Sequence, residues 1–363
     1  MMSAENRVSN FYAGPSTLPV DVIAEISENF ADYNSKGLSI IEASHRSDIY
    51  REVHVAAVDL SRELLGISDS YDVLFLGGGA TLQFAMIPMN LIPHGGVCDF
   101  IVSGIWAAKA KADAELVGGV RTLFDGAESN YTSLPDEIGG SSDSSYLHIT
   151  SNETINGIQW REFPSDVGAP IVADMSSDIM SRPIDVGGFG LIYAGAQKNL
   201  GPAGVTLVII RKDLVARGRI DLPSYLSYRT HAAANSLHNT PPVFSIYALR
   251  LVLEWVKRNG GVKAMHEASD RKSSHIYGAI DGSAGFYRSP VMRSYRSRMN
   301  IVFRLPSESL ERSFLAESES IGMLGLRGHR SVGGVRASLY NALPEEWARS
   351  LSGFMEEFAR RNG

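Results

Sequence analysis

Cysteine is almost missing from this sequence of 363 residues, in which Cys98 is the single example. That excludes a disulfide framework and a metal site built from several thiolates, and no metal is expected. No apolar run approaches the roughly 20 residues that a membrane-spanning helix needs. The first residues, Met1 to Arg7, lack the apolar core of a secretory signal. We therefore expect a cytoplasmic protein with no membrane partner.

An excess of basic residues is also missing, because the formal net charge is −6. A protein that binds the phosphate backbone of nucleic acid needs a basic surface, so we expect no nucleic-acid partner. Small anionic substrates remain compatible with this charge, since a few local arginines can bind them inside an acidic protein. Hydrophobic residues at 44% and charged residues at 20% are typical of soluble globular proteins.

The length exceeds the usual size of a single hydrophobic core, which favours two domains. The first two-thirds of the chain alternates strand-like and helix-like segments. This pattern predicts an α/β fold with a mainly parallel sheet covered by helices. Gly260 and Gly261 interrupt a long helical pattern. We place a boundary there, between a large domain at 16–260 and a smaller α+β domain at 261–363 that residues 1–15 join.

Three local patterns are specific enough to be checked in a structure. Ser16 begins a sequence that is typical of a helix start capped by a side chain. Pro88 is expected to end or kink the helix predicted for 80–90, which follows the glycine turn at 77–79. Two short strands are predicted around Arg330–Leu339.

A lysine and an aspartate each follow an apolar, strand-like run. Lys198 lies in a turn rich in small residues after 191–194, and Asp174 ends the run that begins at Pro170. Pyridoxal phosphate needs an amine to form its Schiff base and a carboxylate to keep its pyridine nitrogen protonated. A lone lysine at a strand end is most often an ordinary surface residue. The interpretation therefore depends on the pair, and on further contacts to the cofactor's phosphate and ring.

Residues suited to those further contacts follow other predicted strands. The segment 77–83 is a glycine-rich turn before a helix, where backbone N–H groups and the helix dipole favour a phosphate. It matches neither the P-loop nor the dinucleotide fingerprint, and a plain tight turn explains its glycines equally well. Trp106 begins a helix after the strand at 98–102, where its ring either stacks on a flat heteroaromatic group or packs in the core. Thr154 follows another strand and can bond a phenolic oxygen.

Arginines and histidines occur together in two short segments. Arginine binds carboxylates and phosphates through paired hydrogen bonds, so such a set predicts a substrate with several negative charges. A single arginine, by contrast, is more often part of a solvated salt bridge. The candidate substrate-binding residues are His45, Arg46, His329, Arg330 and Arg336.

Taken together, these motifs resemble the phosphoserine aminotransferase family, within the class V, fold-type I pyridoxal-phosphate enzymes. The matching segments run in the family's order over nearly the whole chain. They are Phe11–Pro15, Ser44–Arg46, Gly77–Gly79 with Gln83–Phe84, Asn152–Ile155, Ala173–Asp174 with Ser176–Ser177, Ser181–Pro183, Tyr193–Gly204, His238–Pro242 and Gly328–Arg336.

The resemblance implies an α/β large domain with a mainly parallel seven-stranded sheet, a smaller α+β C-terminal domain, and pyridoxal 5′-phosphate as cofactor. Lys198 is then the Schiff-base lysine that also moves the substrate's proton. Asp174 would pair with the pyridine nitrogen, and Trp106 would stack on the ring. The other implied cofactor-binding residues are Ala80, Thr81 and Gln197 for the phosphate, Thr154 for the ring oxygen, and Asn239 and Thr240 from the neighbouring subunit of a homodimer.

The implied reaction is the reversible transfer of an amino group between O-phospho-L-serine and 2-oxoglutarate, giving 3-phosphooxypyruvate and L-glutamate. It belongs to serine biosynthesis, and acceptance of 4-phosphohydroxy-L-threonine would link it to pyridoxine biosynthesis. The resemblance assigns Arg46 and Arg336 to substrate carboxylates. It assigns His45, His329 and Arg330 to the phosphate side.

Three alternatives stay open at this point. Alanine–glyoxylate transamination uses the same cofactor but needs no phosphate pocket. Cysteine desulfuration needs a mobile catalytic cysteine, whereas Cys98 lies in a predicted strand. A catalytically silent pyridoxal-phosphate carrier, or a phosphate-binding regulator, would not need the lysine, the aspartate and the arginines together.

Overall fold

Strands and helices alternate along most of the chain. The computed structural model describes residues 7–363, so the predicted share of residues 1–6 in the smaller domain lies outside the described residues. The strands are β1 Ser9–Asn10, β2 Tyr71–Leu76, β3 Val97–Val102, β4 Gly119–Asp125, β5 Leu147–Thr150, β6 Asn152–Glu153, β7 Ile158–Gln159, β8 Ile171–Asp174, β9 Leu191–Gly195, β10 Thr206–Arg211, β11 Asn300–Phe303, β12 Met323–Leu324 and β13 Val335–Ser338.

Helices pack around these strands. They are α1 Val20–Asn29, α2 Asp48–Leu65, α3 Gly79–Leu91, α4 Ile105–Glu115, α5 Lys212–Arg217, α6 Tyr228–Ala233, α7 Val243–Arg258, α8 Gly261–Gly282, α9 Glu308–Ser320 and α10 Glu345–Asn362. None of the helices within residues 7–363 carries the apolar stretch that spanning a lipid bilayer requires.

The largest sheet has seven strands and is mainly parallel, as predicted. Its strand order is β2–β10–β9–β8–β5–β3–β4. Strand β10 runs antiparallel to both neighbours, whereas the remaining neighbouring pairs are parallel. The connection 196–205 between β9 and β10 is shorter than the dozen or so residues that a parallel crossover needs. Strands β2, β3, β5, β8 and β9 therefore point the same way, and their carboxyl ends meet at one edge.

The centre of this sheet is covered on both faces. Strands β5, β8 and β9 are buried along their whole length. Because successive side chains point to opposite faces of a sheet, Ala173 and Ile192 pack in one core cluster and Val172 and Tyr193 in another. Burial on both faces explains why these strands read as continuous apolar runs in the sequence.

A separate core cluster lies towards the carboxyl end of the chain. It joins Phe11 to apolar residues of α8, α9, α10, β11 and β13. Gly260 and Gly261, at the N-cap and first position of α8, have φ values of 91° and 69°, the left-handed conformation that glycine accepts without a steric cost. These features support the domain boundary after residue 260, which stays a prediction.

Two of the three local patterns need correction. Helix α1 begins at Val20 with Pro19 at its cap, so the predicted capping by Ser16 is wrong. Helix α3 contains Pro88 in its last turn and ends at Leu91, near the predicted end.

The predicted strand around Arg330 is also wrong. His329 accepts hydrogen bonds from the N–H groups of Val332 and Gly333, which closes a turn. Gly333 and Gly334 have φ values of 74° and 72°, which an extended strand does not allow. The second short strand is β12, which lies earlier in the chain and pairs with β1.

Candidate active site

A cavity of about 110 Å³ opens at the edge where the carboxyl ends of the parallel strands meet. Its lining residues are Gly79, Ala80, Thr81, Phe84, Trp106, Thr150, Asn152, Thr154, Asp174, Ser176, Ser177, Gln197 and Lys198. The structure therefore brings together the predicted cofactor-binding residues, apart from Asn239 and Thr240. We refer to this space as the lysine cavity.

Lys198 is half-buried and extends its amine into the lysine cavity from the turn after β9. Its Nζ donates hydrogen bonds to Thr154 Oγ1 at 2.6 Å and to Ser177 Oγ at 2.8 Å. Burial is the main cause that lowers the pKa of Lys198 to about 8. About a tenth of the amine is therefore neutral at pH 7, and the neutral amine is the form that reacts with a carbonyl carbon.

The turn that carries Lys198 is braced by a segment from near the amino terminus. Ser16 Oγ donates a hydrogen bond to the carbonyl oxygen of Lys198, and the Ser16 N–H donates to the carbonyl oxygen of Gln197 at 3.0 Å. The hydroxyl that was predicted to cap a helix therefore holds the lysine turn instead.

Asp174 is the last residue of β8 and lies next to β9 in the sheet, as its sequence position predicted. Its side chain is only 5% exposed, and its Oδ1 accepts a hydrogen bond from the Ser176 N–H at 2.9 Å. Burial raises the pKa of Asp174, while the charge of Lys198 and the hydrogen bonds from Ser176 lower it. An amine and a buried carboxylate thus line one cavity and interact electrostatically.

The glycine turn after β2 delivers the start of α3 to the same cavity. Gly78 and Gly79 have φ values of 86° and 67°, and the left-handed conformation turns the chain sharply into the helix. Ala80 and Thr81 lie in the first helical turn, whose N–H groups have no acceptor within the helix. This arrangement suits a phosphate group, so a plain tight turn no longer accounts for all of its features.

Trp106 forms a wall of the lysine cavity from the first turn of α4. Its ring lies 6.4 Å from that of Phe84 and 4.5 Å from Lys109 Nζ, measured between centroids and from centroid to nitrogen. Within residues 7–363 its buried Nε1 has no hydrogen-bond partner. The ring is half-buried and faces the cavity, so core packing alone does not describe it.

Three of the predicted substrate-binding residues, Arg336, His329 and Arg330, lie near one another. Arg336 on β13 is half-buried, and its Nη1 donates to the Thr154 carbonyl oxygen at 3.4 Å. Burial lowers the pKa of His329, and the charges of Arg336, Arg330 and Lys109 lower it further, so a neutral imidazole lies among three cationic side chains. Arg330 itself is exposed on the turn between β12 and β13. The set can attract an anion towards the lysine cavity.

The other two predicted substrate-binding residues lie apart from this group. His45 and Arg46 belong to the loop before α2, where Arg46 is exposed. Among the described residues of this single chain, none of the five predicted substrate-binding residues is part of the cavity lining, and only Arg336 donates a hydrogen bond to a residue that is.

Asn239 and Thr240 are likewise not brought to Lys198 within one chain. Both are exposed and line a different cavity, together with Gly77 and Tyr225. The glycine turn separates the two spaces, since Gly79 lines the lysine cavity and Gly77 lines the other. Their predicted contact with a neighbouring subunit stays a prediction.

Sequence reasoning assigned no role to three residues that the structure places at the site. Ser177 accepts a hydrogen bond from Lys198, Lys109 lies over Trp106, and the buried Glu153 accepts hydrogen bonds from the start of α4. Ser177 and Glu153 stand inside recognised motifs, which was the available signal. Their contacts, however, join segments that are distant in sequence.

Comparisons with known proteins agree with this geometry. The model of the class-V aminotransferase family matches residues 8–349. The phosphoserine aminotransferase of Geobacillus kaustophilus is 50% identical over 357 residues, which cover 98% of this chain and 99% of the relative. The solved phosphoserine aminotransferase from Bacillus circulans subsp. alkalophilus has 50% identity and a TM-score of 0.96, and covers 98% of this chain and 99% of its own. A structure of pyridoxal-phosphate-bound phosphoserine aminotransferase from Trichomonas vaginalis has 34% identity and a TM-score of 0.92, with 96% and 100% of the two chains covered.

Proposed function

We propose that this chain, which belongs to the class-V aminotransferase family, is a phosphoserine aminotransferase. It exchanges an amino group between O-phospho-L-serine and 2-oxoglutarate, giving 3-phosphooxypyruvate and L-glutamate in serine biosynthesis. The observation that carries the proposal is a half-buried amine and a buried carboxylate, Lys198 and Asp174, in one cavity of a fold shared with relatives at about 50% identity.

The residues of the lysine cavity fit pyridoxal 5′-phosphate. The cavity offers an amine, a carboxylate, an aromatic wall and the first turn of a helix, and these are the groups that this cofactor's aldehyde, ring nitrogen, ring face and phosphate require. The unpartnered Trp106 Nε1 and Thr150 Oγ1, among the residues described, leave polar atoms available at this site. When bound, the cofactor supplies an aldehyde that accepts the amino group and a ring that delocalises negative charge from the substrate's Cα.

Lys198 provides the base of the reaction. A pKa of about 8 lets the amine release its proton near neutral pH and then take the proton from the substrate's Cα. The hydroxyls of Thr154 and Ser177 accept hydrogen bonds from Nζ and hold it at the cavity wall. Because both hydroxyls are on buried residues, the amine stays oriented while its protonation state changes.

Asp174 provides fixed negative charge at the other side of the cavity. The hydrogen bond from the Ser176 N–H favours the ionised carboxylate, and a cationic ring nitrogen placed against it would lower its pKa further. Ala80, Thr81 and Gln197 would hold the phosphate, Thr154 the ring oxygen, and Trp106 one ring face.

Recognition of the substrate is assigned to the cationic residues beside the cavity. Phosphoserine carries a phosphate as well as a carboxylate, which suits the close set of Arg336, His329 and Arg330. Arg336 would take a carboxylate, and His329 and Arg330 the phosphate side. His45 and Arg46, of which Arg46 is exposed in the single chain, would complete the site. The same chemistry would accept 4-phosphohydroxy-L-threonine in pyridoxine biosynthesis.

A homodimer is part of the proposal. Asn239 and Thr240 are exposed, and they lie across the glycine turn from the lysine cavity of their own chain. They would reach the phosphate held by a second copy. The cytoplasmic location also stays a prediction.

A comparison of amino donors tests the proposed function. Phosphoserine and alanine are each assayed with the acceptor that their reaction requires, for the wild-type protein and for Arg330→Ala. We expect strong preference for phosphoserine, and a loss in Arg330→Ala that is larger for phosphoserine than for glutamate in the reverse direction. Arg312→Ala, an exposed arginine on α9, is the control. Equal or faster use of alanine would favour alanine–glyoxylate transamination and contradict the proposal.

A further inference from the structure

One buried carboxylate at the site has no part in the proposed chemistry. Glu153 on β6 is 0% exposed and belongs to the segment that also carries Thr154. A buried carboxylate needs strong hydrogen-bond donors to offset its desolvation. Its donors therefore indicate what it does.

Those donors are the first backbone groups of α4. Glu153 Oε2 accepts a hydrogen bond from the Trp106 N–H at 3.1 Å, and Oε1 accepts one from the Ala107 N–H at 2.8 Å. Asn156 Oδ1 accepts a third from the Ile105 N–H at 3.2 Å. Three successive N–H groups at the start of the helix are thus bound by the segment 153–156. The negative charge also lies at the positive end of the helix dipole.

The backbone beside this carboxylate is shaped to admit it. A Cβ at Gly104 would lie 2.3 Å from the carboxyl carbon of Glu153, so any larger residue would force the carboxylate out of its present position. Glycine at 104 therefore allows the close approach of Glu153. The start of α4 is therefore complementary to the carboxylate of Glu153 in both shape and hydrogen bonding.

Glu153 also connects two walls of the lysine cavity. Its side chain holds the backbone of Trp106, and its own backbone continues into Thr154, whose hydroxyl accepts from Lys198. Burial raises the pKa of Glu153 to about 7, while the N–H groups of Ala107 and Trp106 oppose that shift.

We propose that Glu153 is a positioning residue that fixes the ring of Trp106 at the wall of the cofactor site. The inference rests on the proposed function, because it assumes that pyridoxal phosphate binds against Trp106. Glu153 itself touches neither substrate nor cofactor in this assignment. It acts by setting where α4 begins.

The test compares cofactor binding with helix capping alone. Glu153→Gln keeps the size of the side chain and one carbonyl acceptor, whereas Glu153→Ala removes both. Ser307→Ala is the matched control, because Ser307 Oγ caps α9 by accepting from the Leu310 N–H at 3.2 Å, within the separate C-terminal unit. For each protein, the Kd is measured by titrating the cofactor-free form with pyridoxal phosphate. The visible circular dichroism of the bound cofactor and the Tm are measured on the loaded form.

We expect Glu153→Ala to weaken cofactor binding by about tenfold to a hundredfold, by analogy with the loss seen when a hydrogen bond that orients a metal ligand is removed. Glu153→Gln should recover part of the loss. Both variants should change the dichroism of the cofactor, whereas Ser307→Ala should lower only the Tm. Wild-type Kd and dichroism in both Glu153 variants would overturn the proposal. If Glu153→Ala does not fold, the isosteric Gln variant decides.

A double-mutant cycle tests whether the effect passes through Trp106. In a Trp106→Ala background, Glu153→Gln should leave the Kd for pyridoxal phosphate nearly unchanged. A full effect in that background would overturn the positioning role. Failure of the wild-type protein to bind pyridoxal phosphate at all would instead overturn the proposed function, and this inference with it.

Discussion

Two lysines in this protein have similarly lowered pKa values but different surroundings and hydrogen-bond partners. Lys198 extends into the lysine cavity at the edge of the large sheet, whereas Lys272 lies in α8 and is 1% exposed. Burial lowers the pKa of both, to about 8 for Lys198 and about 7 for Lys272. A shifted pKa alone would therefore nominate two active sites.

Their hydrogen-bond partners separate them. Lys272 Nζ lies within hydrogen-bond distance of the carbonyl oxygens of Tyr340, Asn341 and Leu343, at 2.6, 3.4 and 3.3 Å, so every N–H group that it carries has an acceptor. Lys198 Nζ has two hydroxyl acceptors and borders an open cavity. A lysine whose amine is surrounded by backbone acceptors stabilises the fold. A lysine whose amine borders an open cavity is available for chemistry.

The largest effect should come from exchanging each lysine for methionine. Lys198→Met should reduce transamination at least about a thousandfold, because it removes the amine and the base together. Lys272→Met should keep most of the activity of the folded enzyme. Steady-state assays with phosphoserine and 2-oxoglutarate measure both. Near-normal turnover in Lys198→Met would remove it from the catalytic role.

A second test compares two buried aspartates. Asp174→Asn keeps the shape and the acceptor for the Ser176 N–H but loses the charge, so we expect kcat to fall about a hundredfold to a thousandfold. Asp178, four positions on, accepts from Ser151 Oγ and Gln159 Nε2 and is absent from the described cavity lining. Asp178→Asn should mainly lower the Tm. Equal losses of kcat in the two variants would show that burial, not position at the cavity, sets the effect.

The third test measures stability, where the order of the two lysines should reverse. Lys272→Met leaves the buried carbonyl oxygens around this position without a donor, so its free energy of unfolding at pH 9 should fall by about 2–4 kcal/mol. Denaturant titration of the cofactor-free proteins measures it, and Lys198→Met should lose less. A Lys272→Met protein as stable as the wild type would contradict the structural role of this lysine.

The same pair of proteins gives a pH dependence with a defined sign. Because the pKa of Lys272 falls from its ordinary value of 10.5 to about 7 on folding, its contribution is present above pH 10.5 and lost as the pH falls towards 7. The deficit of Lys272→Met relative to the wild type should therefore widen as the pH rises through this window. A deficit independent of pH would contradict the assignment.

The smallest expected effect concerns the rate at which the cofactor-free protein takes up pyridoxal phosphate. A pKa of about 8 makes roughly a tenth of the Lys198 amine neutral at pH 7 and nine-tenths at pH 9, so the uptake rate should rise about tenfold. Stopped-flow absorbance measures it, with Lys272→Met as a control that should share the profile. A rate that is flat or falls over this range would contradict the role of the neutral amine.

The main sheet and the ends of its strands could be predicted because strands buried on both faces appear in the sequence as continuous apolar runs. Asp174 and Lys198 each close such an apolar run, and parallel strands bring those ends together. The reversal of β10 follows from a short connection, but only once the strands are known. The strand predicted at Arg330 was wrong because Gly333 and Gly334 fold that segment into a turn.

Contacts between distant segments could not be predicted. Ser177 reaches Lys198 across 21 positions and Glu153 reaches Ala107 across 46, and no local pattern marks such pairs. The role of Gly104 could not be predicted either, because it depends on the carboxylate of Glu153, which approaches from a distant segment.

Mapping the lysine that carries the cofactor tests the central claim most directly. The loaded wild-type protein is reduced with borohydride, digested, and searched by mass spectrometry for pyridoxyl-modified peptides. We expect one modified residue, Lys198, and an unmodified Lys272. A modification on another lysine with Lys198 unmodified, or a protein that stays colourless and unmodified with excess cofactor, would contradict it.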